Sequence, residues 1–453
     1  MENHSKKGRG NIKILLISPT WKKETKIKRM GRGRIFKVPP HNLLIISALT
    51  PKDVKVEIID ENVEEIDFDK KVDLVGITTM TASSPRAYEI ADTFRERGVL
   101  VVFGGIHATV LPEEIAQHAD AVVIGEAEGL WEKLIEDFKR GGKQALAKFY
   151  RNSQRPDPMK IPIPRRELVK DKGYLLSRFL QLTRGCPFDC SFCSVSKFFG
   201  KKYRFRPVKK VIEEIKGMVS KPLKTRFLGF LDDNIVGNIA YARELFKALV
   251  PYKLLWIGQS SINIARHEDV LQLAAASGCK GLFIGFESIS EASLAEADKS
   301  QNKIKFYEKA IEKIHRFGIS IEGAFIFGFD HDDKSIFKKT VEFIEKVKID
   351  AIQFSILTPL PGTKLYEKLE KEDRIIDRNW SNYDLAHAVF KPKLMTPQEL
   401  KQGFDWAYQR IYRLSSIFKR LTSLSRGRRW KYLLPVLTLN LGYRRIFNGK
   451  EKK

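Results

Sequence analysis

The feature that most limits what this chain can fold into is an alternation, running along most of its length, of short apolar runs with amphipathic stretches of helical period. Ile12 to Ser18 is the first such run. Val54 to Asp60, Leu74 to Thr78, Leu100 to Phe103 and Ala121 to Ile124 follow, with helical patterns such as Ser84 to Arg97 and Glu113 to Ala119 between them. Strands separated by helices pair in parallel, so residues 1–140 predict an α/β unit with a doubly wound parallel sheet. Sheets of this kind take ligands at the carboxyl ends of their strands. The segments at those ends are Thr78-Thr79-Met80, Gly104-Gly105-Ile106-His107 and Gly125-Glu126, whose small residues let a ligand approach the backbone.

Residues 141–175 are polar and carry Pro156, Pro158, Pro162 and Pro164, the composition of a linker. The alternation then resumes with strands expected at Phe179 to Thr183, Arg226 to Leu231, Leu255 to Gln259, Gly281 to Phe286, Ser320 to Phe327 and Ala351 to Ile356. Six repeated units over residues 176–370 predict an α/β barrel, full or partial, with its chemistry in the loops after the strands. Residues 371–453 read as a helical extension. Within it Thr396 is placed to cap a helix, with Pro397 at the first position and Glu399 completing a capping box.

The chain has four cysteines, and three of them, Cys186, Cys190 and Cys193, lie within eight residues. A disulfide scaffold would spread its cysteines along the chain, so the cluster points to metal ligation. Three thiolates spaced Cys-x3-Cys-x2-Cys can hold three corners of a 4Fe-4S cubane and leave one iron open. That open iron can chelate the amino and carboxylate groups of S-adenosylmethionine (SAM). The alternative is zinc, which wants four ligands, and no fourth lies close in sequence. Cys279 reads as a small buried residue.

With Phe192 in the aromatic position, Cys-x3-Cys-x-aromatic-Cys resembles the motif of the radical SAM superfamily. The resemblance continues along the expected barrel. It implies that Asp232 and Asp233 lie near the SAM amino group, that Gln259 serves the ribose, that Glu287 and Ser288 contact SAM, and that Gly328 lies near the adenine. Locally, the two aspartates also suit a helix cap, Glu287 a surface charge and Gly328 a turn. Thr358 to Thr363 resembles the segment that closes the barrel. In the first unit, Gly104 to Thr109, Pro112-Glu113-Glu114, Asp120 and Gly125 to Glu128 resemble the cobalamin-binding domain fused to many such enzymes. That implies cobalamin contacts from Thr78, Thr79, Met80, Gly104, Gly105, His107, Gly125 and Glu126. The Asp-x-His-x-x-Gly motif that supplies a histidine to cobalt is absent, so His107 is expected to position a loop and not to ligate cobalt.

Trp380 to Asp384 and Thr396 to Leu400 resemble the extension of lipid- and pigment-modifying members of this subclass. The resemblance implies reductive SAM cleavage at a cluster fed by an external low-potential electron donor. With cobalamin, it implies methylation of an unactivated carbon in a hydrophobic substrate (lipid, isoprenoid or tetrapyrrole). The alternatives are cyclisation, oxidation or carbon–carbon coupling without methyl transfer, and RNA modification. The last suits the charge but lacks the additional cysteine triad of the related methylthiotransferases.

The charge is large: 81 Lys and Arg against 55 Asp and Glu, a net +26. Such an excess favours polyanionic partners. From Arg413 onward there are twelve basic residues and one acid, Glu451, interleaved with Trp430, Tyr432 and several leucines. This tail fits an anionic membrane surface or a helix packed on the barrel about equally, and a nucleic-acid patch less well. Lys22 to Lys37, basic and with Gly31 and Gly33, fits a loop over the cofactor, a phosphate contact or a plain surface loop. No apolar run is long enough to span a bilayer, and the polar start of the chain has no apolar signal region behind it. The expected place is the cytoplasm, with the inner membrane face as a docking surface.

Overall fold

A computed structural model of the chain describes residues 12–21, 38–170, 172–174, 178–219, 226–299, 301–422 and 433–448. The basic segment Lys22 to Lys37 and the stretch of tail holding Arg426, Arg428, Arg429, Trp430, Lys431 and Tyr432 lie outside the described residues. The chain divides into two compact units, Met1–Ser177 and Arg178–Lys453.

The first unit is built on six parallel strands: β1 (Lys13–Ser18), β2 (Lys55–Asp60), β3 (Leu74–Thr78), β4 (Leu100–Gly104), β5 (Ala121–Ile124) and β6 (Phe149–Arg151), in the order β2-β1-β3-β4-β5-β6. Helices cover both faces, which is why β1, β3 and β5 read as continuous apolar runs. Leu44, Trp131 and Leu134 fill one layer. Ile90, Phe94 and Ile115 fill the other. The strand order reverses at β1 and β3, so the crevice of the sheet opens where Ser18 and Thr78 end their strands.

β6 corrects the expectation of a linker over 141–175. Tyr150 is buried, its hydroxyl donating to Asp137 (2.9 Å) and accepting from the Ala147 N–H (3.1 Å). Ile161 and Val169 are buried as well. A three-residue strand is too short to show a period, so only its partner β5 reveals it.

In the second unit β7 (Phe179–Leu180), β10 (Phe227–Phe230), β11 (Leu255–Ser260), β12 (Cys279–Glu287), β13 (Ser320–Phe327) and β14 (Ala351–Ile356) form a parallel sheet in strictly sequential order. β8 (Thr183–Arg184) and β9 (Arg204–Phe205) pair separately and antiparallel. Among the described residues no pairing joins β14 to β7, so the barrel is partial and keeps two strand edges. An open edge leaves backbone groups without partners. The helix Pro397–Ile411 supplies them at β14. The Tyr408 hydroxyl bonds both the N–H and the C=O of Phe354 (2.8 and 2.9 Å), and Tyr412 does the same for Ile352 (3.0 and 2.5 Å). The expected capping box stands at this helix's start: Thr396 Oγ1 accepts from the Glu399 N–H (3.2 Å) and Glu399 accepts from the Thr396 N–H (2.8 Å).

The described part of the basic tail is packed against the barrel on its inner side. Arg420 is fully buried, and its guanidinium donates to the carbonyls of Ile349, Asp350 and Ile411 and to Asn440 Oδ1. Tyr443, on the helix Leu433–Asn448, donates to Glu322 on β13 (2.7 Å). The outer side of the same helix exposes Leu434, Leu441, Arg445 and Ile446. Among the described residues no helix is long and apolar enough to cross a membrane.

Candidate active site at the cysteine loop

The three cysteines follow β8, on the loop that leaves the rim of the barrel. Gly185 opens the loop at φ +88, a conformation that costs glycine little. A Cβ there would stand 2.4 Å from the Lys202 carbonyl oxygen, so the close approach also requires glycine. The Cys186 N–H donates to Gly200 O (3.2 Å) and the Cys193 N–H to Cys190 O (3.1 Å). Between them the Ser191 N–H donates to Ala297 O (3.1 Å), and Ser191 O accepts from the Leu365 N–H (2.9 Å). The loop is therefore held from both sides, and its cysteines are free thiols.

Burial raises all three thiols above the ordinary range, Cys193 to about 12. Cys190 adds to the shift at both of the others, so the sulfurs lie within one another's field. Loading a cluster must therefore expel protons as thiolates form, and thiolate–iron bonding supplies the drive. Among the described residues no three Cys, His, Asp or Glu side chains converge as ligands of a single ion would. A cubane gives each thiolate its own iron and asks for no such convergence. The donor set fits a cluster.

The charged groups around the sulfurs come from two strand ends. Asp233, after β10, is half-buried, and burial raises it to about 6; it has no ion pair among the described residues. Its charge reaches Cys186 and Cys193. Such an unpaired, half-buried carboxylate beside the sulfurs is a candidate for binding a cation. Asp232 points the other way. It is fully buried, and its Oδ1 accepts from the Thr183 hydroxyl (2.5 Å) and the Leu182 N–H (3.1 Å). Burial lifts it to about 7 against the pull of those bonds. Its work is to tie the end of β10 to the entry of the cysteine loop.

At the end of β12 the register with β13 shifts between Gly285 and Glu287, and Glu287 takes φ +65. This bulge turns the Glu287 side chain to an ion pair with Lys299 (2.6 Å). Burial works to lower Lys299, but Glu287 and Cys190 outweigh it and hold the ammonium charged. Ser288 is buried, and its Oγ accepts from the Ser290 N–H (3.1 Å). Gln259 is half-buried on β11. Phe192 sits edge-on to Phe329, with ring centroids 6.4 Å apart. Gly328, at φ +108, lies under Leu400, and its N–H donates to the buried Asp332 (3.0 Å). Lys299 and Gln301 are brought to the sulfurs but were not expected; no motif marks them, and only the fold brings them to the loop.

In the first unit the expected residues gather at the ends of β3, β4 and β5. Thr78 Oγ1 accepts from Asn42 (2.6 Å), Thr79 is buried with its N–H on Gly104 O (3.0 Å), and Met80 is 53% exposed beside them. Gly105 stands at φ +102, where a Cβ would meet Thr79 O at 2.6 Å. Thr109 donates to Gly105 O (2.8 Å) and accepts from the Gly125 N–H (2.9 Å), tying two of the strand ends together. Glu126 is buried next to them. His107 is fully buried, with Nε2 on the Tyr88 hydroxyl (3.1 Å) and Nδ1 on Thr81 Oγ1 (3.3 Å). With both ring nitrogens engaged inside the protein, it braces the loop. Nothing lies within 4 Å of a Cβ built on Gly125, so the backbone there borders open space.

Comparison with known proteins agrees with this division. Residues 180–344 match the model of the radical SAM superfamily, residues 35–135 that of the B12 binding domain, and residues 363–433 a domain of unknown function. The bacteriochlorophyllide d C-12(1)-methyltransferase of Chlorobaculum tepidum is 33% identical over 397 residues, covering 84% of this chain and 84% of the relative. The bacteriochlorophyllide d C-8(2)-methyltransferase of the same organism is 32% identical, covering 83% and 86%. Among solved structures, the methyltransferase TsrM from Kitasatospora setae, with cobalamin and a [4Fe-4S] cluster bound, superposes with a TM-score of 0.63 at 17% identity, covering 87% of this chain and 85% of that one; at that identity the likeness is one of fold.

Proposed function

From the premise that this chain belongs to the radical SAM superfamily, in the subclass with a B12 binding domain, we propose that it is a cobalamin-dependent radical methyltransferase acting on a hydrophobic, pigment-like small molecule. The observation that carries the reading is the loop of three free thiols on the barrel rim, with the unpaired carboxylate of Asp233 beside it. When bound, the cluster and SAM supply a 5′-deoxyadenosyl radical and the cobalamin supplies a methyl group. The chain's own residues hold and orient. Cys186, Cys190 and Cys193 are the cluster ligands. Asp233 is the carboxylate offered to the SAM ammonium, while Asp232 positions the loop. Glu287 and Lys299 form a charged pair beside the sulfurs. Gly104, Gly105, Gly125 and Met80 are the residues offered to the corrin. The substrate class rests on the pigment methyltransferases among the relatives.

The test is anaerobic reconstitution followed by an absorption spectrum, iron analysis and SAM turnover. One cubane and one cobalamin per chain are expected, with 5′-deoxyadenosine formed under strong reductant and a product heavier by one CH2. Cys190→Ala is expected to abolish SAM cleavage; intact cleavage in that variant would sink the proposal.

The same reading extends to where the substrate is met. The outward side of Leu433–Asn448 exposes Leu434, Leu441 and Ile446 beside Arg445, Phe418 is exposed on the preceding helix, and the sequence from Arg413 to Lys450 holds no acid. Exposed apolar side chains among cations suit an anionic membrane surface. Co-sedimentation with anionic vesicles, lost in Leu434→Asp/Leu441→Asp, is expected; equal retention on zwitterionic vesicles or none on either counts against it.

A further inference from the structure

Residues 296–299, leaving the helix Glu291–Glu296, and residues 301–302 lie against the cysteine loop and β12. They are clamped at both ends. Toward the loop, Ala297 O accepts the Ser191 N–H (3.1 Å) and Glu296 O accepts the Ser191 hydroxyl (3.2 Å). Toward β12, the buried Asn302 donates its amide to the carbonyls of Gly285 and Phe286 (3.0 Å each). Such double anchoring fixes whatever the stretch carries against the sulfurs.

It carries two groups of one kind. Lys299, whose side chain is 15% exposed, is oriented by Glu287 at 2.6 Å and faces Cys190 and Cys193. The Gln301 amide lies within hydrogen-bonding reach of Cys190. Its Nε2 is buried and finds no partner in the protein as it stands. A buried amide donor without an acceptor is unfavourable, and a neutral thiol accepts poorly. A thiolate is a far better acceptor. The donor is thus matched to Cys190 as it exists with metal bound.

We propose that Lys299 and Gln301 raise the reduction potential of the cluster through the Cys190 corner, with Glu287 holding Lys299 in position. The inference rests on the reading of Cys186, Cys190 and Cys193 as cluster ligands. A one-electron reduction adds one negative charge to a buried, electron-rich body. A fixed cation and an N–H donor at its sulfur stabilise the reduced form more than the oxidised one. Lys299 and Gln301 are positioning residues: neither ligates iron, and both act on where the added charge settles.

The experiment uses the full chain, reconstituted anaerobically without SAM, in an electrochemical titration followed by electron paramagnetic resonance. Lys299→Met and Gln301→Leu are each expected to cut the ratio of reduced to oxidised cluster at a fixed potential by roughly tenfold, a fall of about 59 mV for one electron. Lys299→Arg keeps the charge and is expected to restore the ratio. Iron content is measured in parallel. Full iron with an unmoved potential in both variants overturns the proposal. Loss of iron from Gln301→Leu with the fold intact also overturns it, since the amide would then serve assembly. An iron-free wild-type protein would instead overturn the cluster reading itself.

Discussion

Substitution of Asp232 separates its two candidate roles. Burial raises its carboxyl from the ordinary 3.8 to about 7. At 1.36 kcal/mol per unit, holding it ionised in the fold costs about 4 kcal/mol. The sign follows from which state binds the proton more tightly. The folded pKa is the higher one, so the favourable contribution of the protonated form is complete below about pH 4. It is lost as pH rises and is gone above about pH 7. Asn keeps an Oδ1, the atom that accepts from both Thr183 (2.5 Å) and Leu182 (3.1 Å), and never ionises. Asp232→Asn is therefore expected to match the wild type near pH 4 and to exceed it by up to about 4 kcal/mol at pH 8. Asp232→Ala strips two buried donors of their acceptor and should lose about 2–4 kcal/mol at every pH. Because the chain has two units, a single unfolding midpoint would mix them. Hydrogen exchange of the peptide spanning 179–184 reads the local stability directly, and SAM binding is measured alongside. An Asn variant less stable than wild type at pH 8, or one that keeps its fold and cluster but loses SAM, would refute the anchoring role and return Asp232 to the ligand contact its motif suggested.

Other parts of the structure are open to the same treatment. Tyr412→Phe leaves the N–H and C=O of Ile352 without partners, a loss of about 2–4 kcal/mol. Exchange in β14 should then quicken roughly 30-fold or more, and unchanged exchange would show that water or a neighbour replaces the hydroxyl. Gly105→Ala must hold an alanine at φ +102 with its Cβ 2.6 Å from Thr79 O, costing about 2–5 kcal/mol from conformation and overpacking together. It should lower cobalamin retained per chain; full retention speaks against that rim as the corrin site. Arg420→Met removes its donor from the buried carbonyls of Ile349 and Ile411, at about 1–3 kcal/mol each, while Asp350 O keeps the Asn440 amide. The helices after Tyr412 should then be cut early in limited proteolysis, and resistance equal to wild type would contradict the packing described.

The two sheets were legible because their strands are long enough, and buried enough, to print an apolar run; β13 and β14 fall on the predicted residues. β6 was not, since three residues show no period, and the proline-rich composition around it pointed to a linker. The helical tail was split in the same way. Its capping box could be read from Thr396 and Glu399, whereas nothing in the spacing of Tyr408, Tyr412 and Arg420 says that they close a strand edge.

By itself the sequence determined the repeating α/β plan and the spacing of Cys186, Cys190 and Cys193, because both are local: periodicity reports burial of neighbours, and three thiols on one loop need no distant residue to meet. The direction of a side chain at a strand end is a different kind of fact. Asp232 and Asp233 are adjacent and chemically identical, yet one is locked under Thr183 and the other stands unpaired beside the sulfurs. Glu287 meets Lys299 because a bulge turns it, and Gln301 meets Cys190 because Ala297 and Asn302 on either side of it are tied to the loop and to β12. Those juxtapositions join residues 12, 49 and 111 positions apart that sit on different elements, so only the packed barrel decides them.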